Sequence, residues 1–295
     1  MIYTLTFNPA LDYAVYPMAL VLGKTNRSQT ERIDFGGKGI NVSYVLHQLG
    51  EPTTALGFVA GFTGRALCDM LQEAGVRCDF VRLPGGMTRI NVKIKGDAET
   101  EINASGPDIP AEALETLYGK LDAMVAGDTL LLAGSVPSTL PRDVYETICA
   151  RIAGRGIRLA VDAEGALLQS VLKYHPFVIK PNRDELSAIA GRELTDDADV
   201  EAAARVLQAA GACNVLVSLG GDGALLLDET GRVHRAPAVG GKPVNTVGAG
   251  DSMVAGFLSG ARQGYDYALR LGIAAGSATA TSLTLATREE IERLL

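Results

Sequence analysis

An excess of basic residues is missing from this chain: Lys and Arg number 27 against 34 Asp and Glu, for a net charge of −7. That argues against general nucleic-acid binding, which needs basic surface to displace counterions from phosphates. It leaves open a locally basic anion site. The four cysteines, Cys68, Cys78, Cys149 and Cys213, form no CxxC pair and show no metal-ligand spacing. They are expected to be reduced thiols of a cytoplasmic protein. No apolar run nears the ~20 residues that cross a bilayer. The opening MIYTLTFNPALD lacks the basic start and apolar core of a signal peptide. A cytoplasmic location with no membrane partner is therefore expected. Internal repeats and low-complexity linkers are absent. So are GxxxxGK[ST] and HRD, which disfavours P-loop and protein-kinase chemistry.

Glycine, by contrast, is abundant, with 34 among 295 residues, 47% of which are hydrophobic. The glycines fall between periodic segments, as tight turns would. Ile2–Phe7 reads as a strand ending at Asn8-Pro9. Gly39–Leu49 has helical periodicity closed by Gly50, and Thr63–Ala74 repeats the pattern before Gly75. From residue 111 strands and helices alternate. Helices are expected near 111–124, 141–153, 182–190 and 198–210, and strands at Thr129–Leu132, Arg158–Val161, Phe177–Ile179 and Val215–Ser218. Such alternation implies right-handed crossovers and a largely parallel sheet. The stretches 249–262, 265–280 and 287–294 read as helical. Two segments break the rhythm, Tyr13–Phe35 and Thr88–Ile102. In the second, apolar Ile90, Val92 and Ile94 alternate with polar Arg89, Asn91, Lys93 and Lys95, as in a half-exposed antiparallel sheet with a hairpin turn at Gly96-Asp97. These two segments are expected to form a small β lid on one three-layer α/β domain.

The strongest chemical signal is Asn245-Thr246-Val247-Gly248-Ala249-Gly250-Asp251-Ser252-Met253, leading into apolar Val254–Leu258. Small residues allow close ligand approach. A helix opening immediately after them offers free N–H groups and a positive dipole end to an anion. Asp251 in its first turn is placed to act as a base, or merely to cap the helix. Asn182 and Glu185 have capping-box spacing. Gly220 and Gly223 suit a hairpin turn.

Taken together, NTVGAGDSMVAGF resembles the C-terminal signature of the ribokinase-like carbohydrate kinases, and FGGKGINVSYVL (Phe35–Leu46) resembles their N-terminal one. TFNPALD, GKTNR, TRINVKI, TEINASGP, IKPNRDEL and VSLGGDGAL follow in family order across nearly the whole chain. The match is similar to the branch containing 1-phosphofructokinases and tagatose-6-phosphate kinases. The resemblance implies a three-layer α/β/α ribokinase-like fold spanning 1–295, with a lid at about 13–35 and 88–103. It implies an ATP-dependent sugar-phosphate kinase that uses Mg²⁺. Asp251 would be the catalytic base, and the amides of Gly248, Ala249 and Gly250 the anion hole. Lys180, Asn182, Ser218, Gly220, Gly223, Gly248, Gly250, Gly276 and Ser277 would bind ATP, with Asn182 and Glu185 holding the metal through water. Asp12, Gly36, Gly37, Asn41, Asn103 and Gly106 would meet the sugar. Lys24, Arg27, Lys38 and Arg89 would surround the phosphate that the substrate already carries.

There are departures from the branch. Asp162-Ala163-Glu164-Gly165 stands where Asp-Thr-Ser-Gly is usual, and Tyr44 and His47 replace basic or amide residues. His47, His175 and His234 are read as structural or surface residues without a proton-transfer role. A homodimer through the lid is expected, because a sheet with one apolar face needs a cover.

Overall fold

The computed structural model describes residues 1–96 and 99–295. Among them, nine strands form the larger sheet, in the order β13 (Val233–Ala236), β12 (Ala224–Leu227), β11 (Asn214–Ser218), β10 (Val178–Ile179), β9 (Arg158–Asp162), β8 (Thr129–Ala133), β1 (Ile2–Thr6), β4 (Thr53–Val59) and β5 (Val81–Arg82). Only the hairpins β11–β12 and β12–β13 are antiparallel. The reason for the parallel arrangement is visible in the strands. Leu130 and Leu132 of β8 enter one core, while Leu131 and Ala133 enter the core on the opposite face. Val215 and Val217 of β11 divide from Leu216 in the same way. Strands apolar on both faces need helices on both sides, and the chain supplies them. Ala111–Asp122, Val144–Ile152 and Asp197–Ala209 cover one face; Ala249–Gly260 and Tyr265–Thr281 cover the other. The expected three layers are thus present.

The turn expected at 220–223 exists, and it joins antiparallel strands. The sequence reading did not anticipate β5, β12, β13 or the helix Gly165–Val171. These three strands are only two or four residues long, too short to show a period. His234 on β13 is buried and bonds both Asp228 and Asp266 at 2.7 Å, which fits a structural role and excludes a surface one.

The second sheet runs β3 (Ser28–Gly36), β2 (Ala10–Pro17), β6 (Arg89–Lys95), β7 (Glu99–Ile102). One expectation needs correction here. The sheet is mixed, because β2 pairs with β6 in parallel. Its polar side is the sheltered one. Asn91 and Lys93 are buried, whereas Ile33 is 52% and Ile102 59% exposed. Register explains this arrangement. Asp34, Asp12 and Asn91 form one rung and Arg32, Ala14, Lys93 and Glu101 another, facing the main body; Ile33, Tyr13, Val92 and Ile102 share a rung on the other face. Of the expected Gly96-Asp97 turn, Asp97 lies outside the described residues.

Candidate active site

The helix Ala249–Gly260 starts from Gly248, whose φ of 80° is in the left-handed region that glycine tolerates. No side chain caps this helix, so capping does not account for Asp251. The Ala249 N–H donates to Thr246 O at 3.2 Å, which removes it from the anion hole expected of it. Among the described residues, Gly248, Gly250 and Asp251 have no backbone acceptor of this kind.

Asp251 is buried, yet its carboxylate is turned towards polar groups. Oδ2 accepts from Asn41 Nδ2 at 2.8 Å. Burial pushes the carboxyl up to about 6, helped by the negative charge of Asp162 and opposed by Asn41, Lys38 and Lys180. Asp162, at the end of β9, is the residue that sequence reasoning passed over. It was singled out only as part of an atypical tetrapeptide. In the fold its Oδ1 lies 3.5 Å from both Lys38 Nζ and Lys180 Nζ, and its buried Oδ2 has no hydrogen-bond partner among the described residues. Glu164 stands 3.7 Å from Lys38. Burial works against the Lys38 charge, but Asp162, Asp251 and Glu164 outweigh it and raise its pKa. Lys180 also reaches the anion turn: a β-carbon added at Gly250 would sit 3.2 Å from its Nζ.

On one side of residues 245–250 lies a cavity of about 730 Å³, lined in part by Asn182, Ser218, Gly220, Gly223, Gly250, Gly276 and Ser277. This gathers most of the proposed nucleotide residues in one place. Some also have structural duties. Asn182 and Glu185 do form a reciprocal capping box, at 2.7 and 3.0 Å. Gly276 packs against the neighbouring helix, since a β-carbon there would lie 3.0 Å from Ala249 O.

On the other side is a smaller cavity of about 280 Å³, lined by Asp12, Asn41, Tyr44, Lys93, Asn245 and others. Asp12 is held by Lys93 Nζ and Asn91 Nδ2, both at 2.9 Å. Any side chain at Gly36 would meet the Asp12 carboxylate at 2.7 Å, so only glycine fits there. Asn91 and Lys93 were missed because the alternation along their strand does not say which face meets the main body.

Arg89 Nε donates to Asn8 O at 3.0 Å, and Asn8 in turn donates to Ser105 O at 2.7 Å, which brings Gly106 beside the lid base. Asn103 is exposed. Lys24 and Arg27 are exposed on the loop joining β2 and β3. That loop begins six residues beyond Asp12, roughly 20 Å along the strand, so these two cations are not gathered at the cleft of their own chain. Lys38 borders a further recess of about 490 Å³ with Ser135, Ser138, Arg142 and Glu164.

Residues 5–291 match the pfkB family of carbohydrate kinases. The chain is 42% identical to a 1-phosphofructokinase of Bacillus subtilis (strain 168), over 100% of this chain and 97% of that protein. It is 37% identical to a D-tagatose-1-phosphate kinase of Bacillus licheniformis, over 99% and 97%. The crystal structure of a protein described as a phosphofructokinase from Staphylococcus aureus superposes with a TM-score of 0.88 at 44% identity, over 100% of this chain and 96% of that one.

Proposed function

Since the chain belongs to the pfkB family of carbohydrate kinases, we propose that it transfers the γ-phosphoryl group of ATP to the 6-hydroxyl of fructose 1-phosphate, giving fructose 1,6-bisphosphate and ADP. One observation carries this reading. The Gly-rich turn is a common wall of two cavities, and the Asp251 carboxylate beside it bonds Asn41, which lines the sugar-side cavity.

The roles follow from that geometry. Asp251 takes the hydroxyl proton as the oxygen approaches phosphorus. The amides of Gly248, Gly250 and Asp251 receive the charge on the moving group, with Lys38 and Lys180 beside them. Asp12, fixed by Lys93 and Asn91, accepts hydrogen bonds from sugar hydroxyls. Asn182, which lines the larger cavity, and Glu185 beside it would hold a Mg²⁺ ion through water, and the ion would supply neutralisation of phosphate oxygens.

Both named relatives act on ketohexose 1-phosphates, so D-tagatose 1-phosphate is the second candidate. Steady-state ADP release should give the highest kcat/KM for fructose 1-phosphate when it competes with tagatose 1-phosphate, tagatose 6-phosphate and fructose 6-phosphate. Lack of turnover with all four would overturn the kinase reading in favour of a sugar-phosphate sensor. We further propose a homodimer through the outward apolar rung of the lid, which leaves Ile33 and Ile102 bare in a single chain. A second lid laid across it is also the source from which exposed Lys24 and Arg27 can reach a substrate phosphate. Sedimentation at micromolar concentration should show two chains; a monomer would refute this.

A further inference from the structure

Two of the four thiols are not isolated. Cys68 lies on the helix Gly61–Glu73, and Cys78 follows that helix, where it bridges to Ala55 of β4. Ten residues separate them in sequence, but the fold brings both half-buried side chains onto the same small core, with Leu67, Leu71 and Val76. Both also line one open recess of about 580 Å³. In this shared setting Cys78 draws the Cys68 thiol down to about 7, with Arg82 assisting against burial and Asp69. Cys68 and burial in turn raise Cys78. Cys68 is thus the readier of the two to ionise and Cys78 the one to keep its proton, the order of an attacking and a resolving cysteine. The recess carries Arg77 and Arg82 against Asp69 and Asp79, and Asp79 is already engaged by Lys120 at 2.6 Å. A small ligand with carboxylates therefore meets two guanidinium groups and one unengaged acid.

We propose that Cys68 and Cys78 form a thiol–disulfide exchange site that accepts a small anionic disulfide of the glutathione type. The Cys68 thiolate attacks one sulfur of the incoming disulfide, whose S–S bond breaks and releases one small thiolate. Cys78 then loses its proton to solvent and attacks Cys68 Sγ, expelling the second small thiol. The protein gives up two hydrogens and gains one disulfide, while one small disulfide becomes two thiols. The new bond ties the helix to the strand beside it. Met70 and Ala74, from the same helix and its end, line the sugar-side cavity.

The test uses the full reduced chain, treated with oxidised glutathione at neutral pH and digested without reductant for mass mapping. A peptide joining Cys68 to Cys78 is expected. Cys78→Ser should stop with one glutathione on Cys68, and Cys68→Ser should take up glutathione at least about tenfold more slowly than the parent. Cys213 is the internal comparison, since burial raises its thiol. Modification of Cys213 ahead of Cys68, undiminished reaction of Cys68→Ser, or a disulfide running between chains would overturn the proposal. Neither sulfur belongs to the catalytic machinery, so retained turnover reports that each variant is folded.

Discussion

Asp251→Asn should lower kcat by about 10²–10⁴-fold, the contribution of a positioned general base, while thermal unfolding stays close to that of the parent. The amide keeps the volume and can still pair with Asn41, so the loss falls on proton removal. The pH dependence gives a second, independent reading. The parent carboxyl is pushed up to about 6, chiefly by burial and then by Asp162. A base works only when deprotonated, so kcat/KM should fall as pH drops through that value. Asp162→Asn removes a neighbouring negative charge and should move the acid limb to lower pH. Residual activity above a tenth of the parent, with an unmoved limb, would remove Asp251 from the role.

Lys38→Met should reduce kcat/KM for the sugar phosphate by about 10²–10³-fold, as deletion of one charge-stabilising donor does elsewhere. Lys38 stands 3.5 Å from Asp162 and 3.7 Å from Glu164, and its charge also offsets that of Asp251. Its loss leaves an acidic pocket facing an anionic substrate. The acid limb should therefore rise, opposite in sign to the Asp162→Asn shift. Lys38→Arg restores the charge but spreads it over a planar fork, and it should recover only part of the rate. Turnover within tenfold of the parent for Lys38→Met would show that the ammonium group is dispensable.

Much of this site could be read before any coordinates, because its parts are contiguous. The turn at 245–251 carries its own glycines, carboxylate and helix start, and Asn182 with Glu185 declare a helix opening three residues apart. What escaped was contact between distant segments. Asp162 meets Lys38 across 124 positions, and no local pattern announces the pairing. The alternation along β6 separates two faces but says nothing about which one meets the body of the molecule. That choice is made by register with β2, where Asp12 lies opposite Asn91. The same limit hid the Cys68–Cys78 pair: ten residues apart, they match no redox spacing, and a helix followed by a return to β4 is what joins them.

The inward polar rungs of the lid bear on how a sugar would enter the proposed site. Hydroxyl groups leaving water find carboxylate, amide and ammonium partners waiting, so admission is an exchange of one wet contact for another. Phe35, Tyr44, Met70, Leu283 and Leu285 also line that cavity. Calorimetry of sugar-phosphate uptake should therefore show favourable heat from the polar partners together with a modest negative change in heat capacity from the apolar walls. The outward apolar rung lies on the opposite side, where an encounter between two chains would carry the larger heat-capacity change.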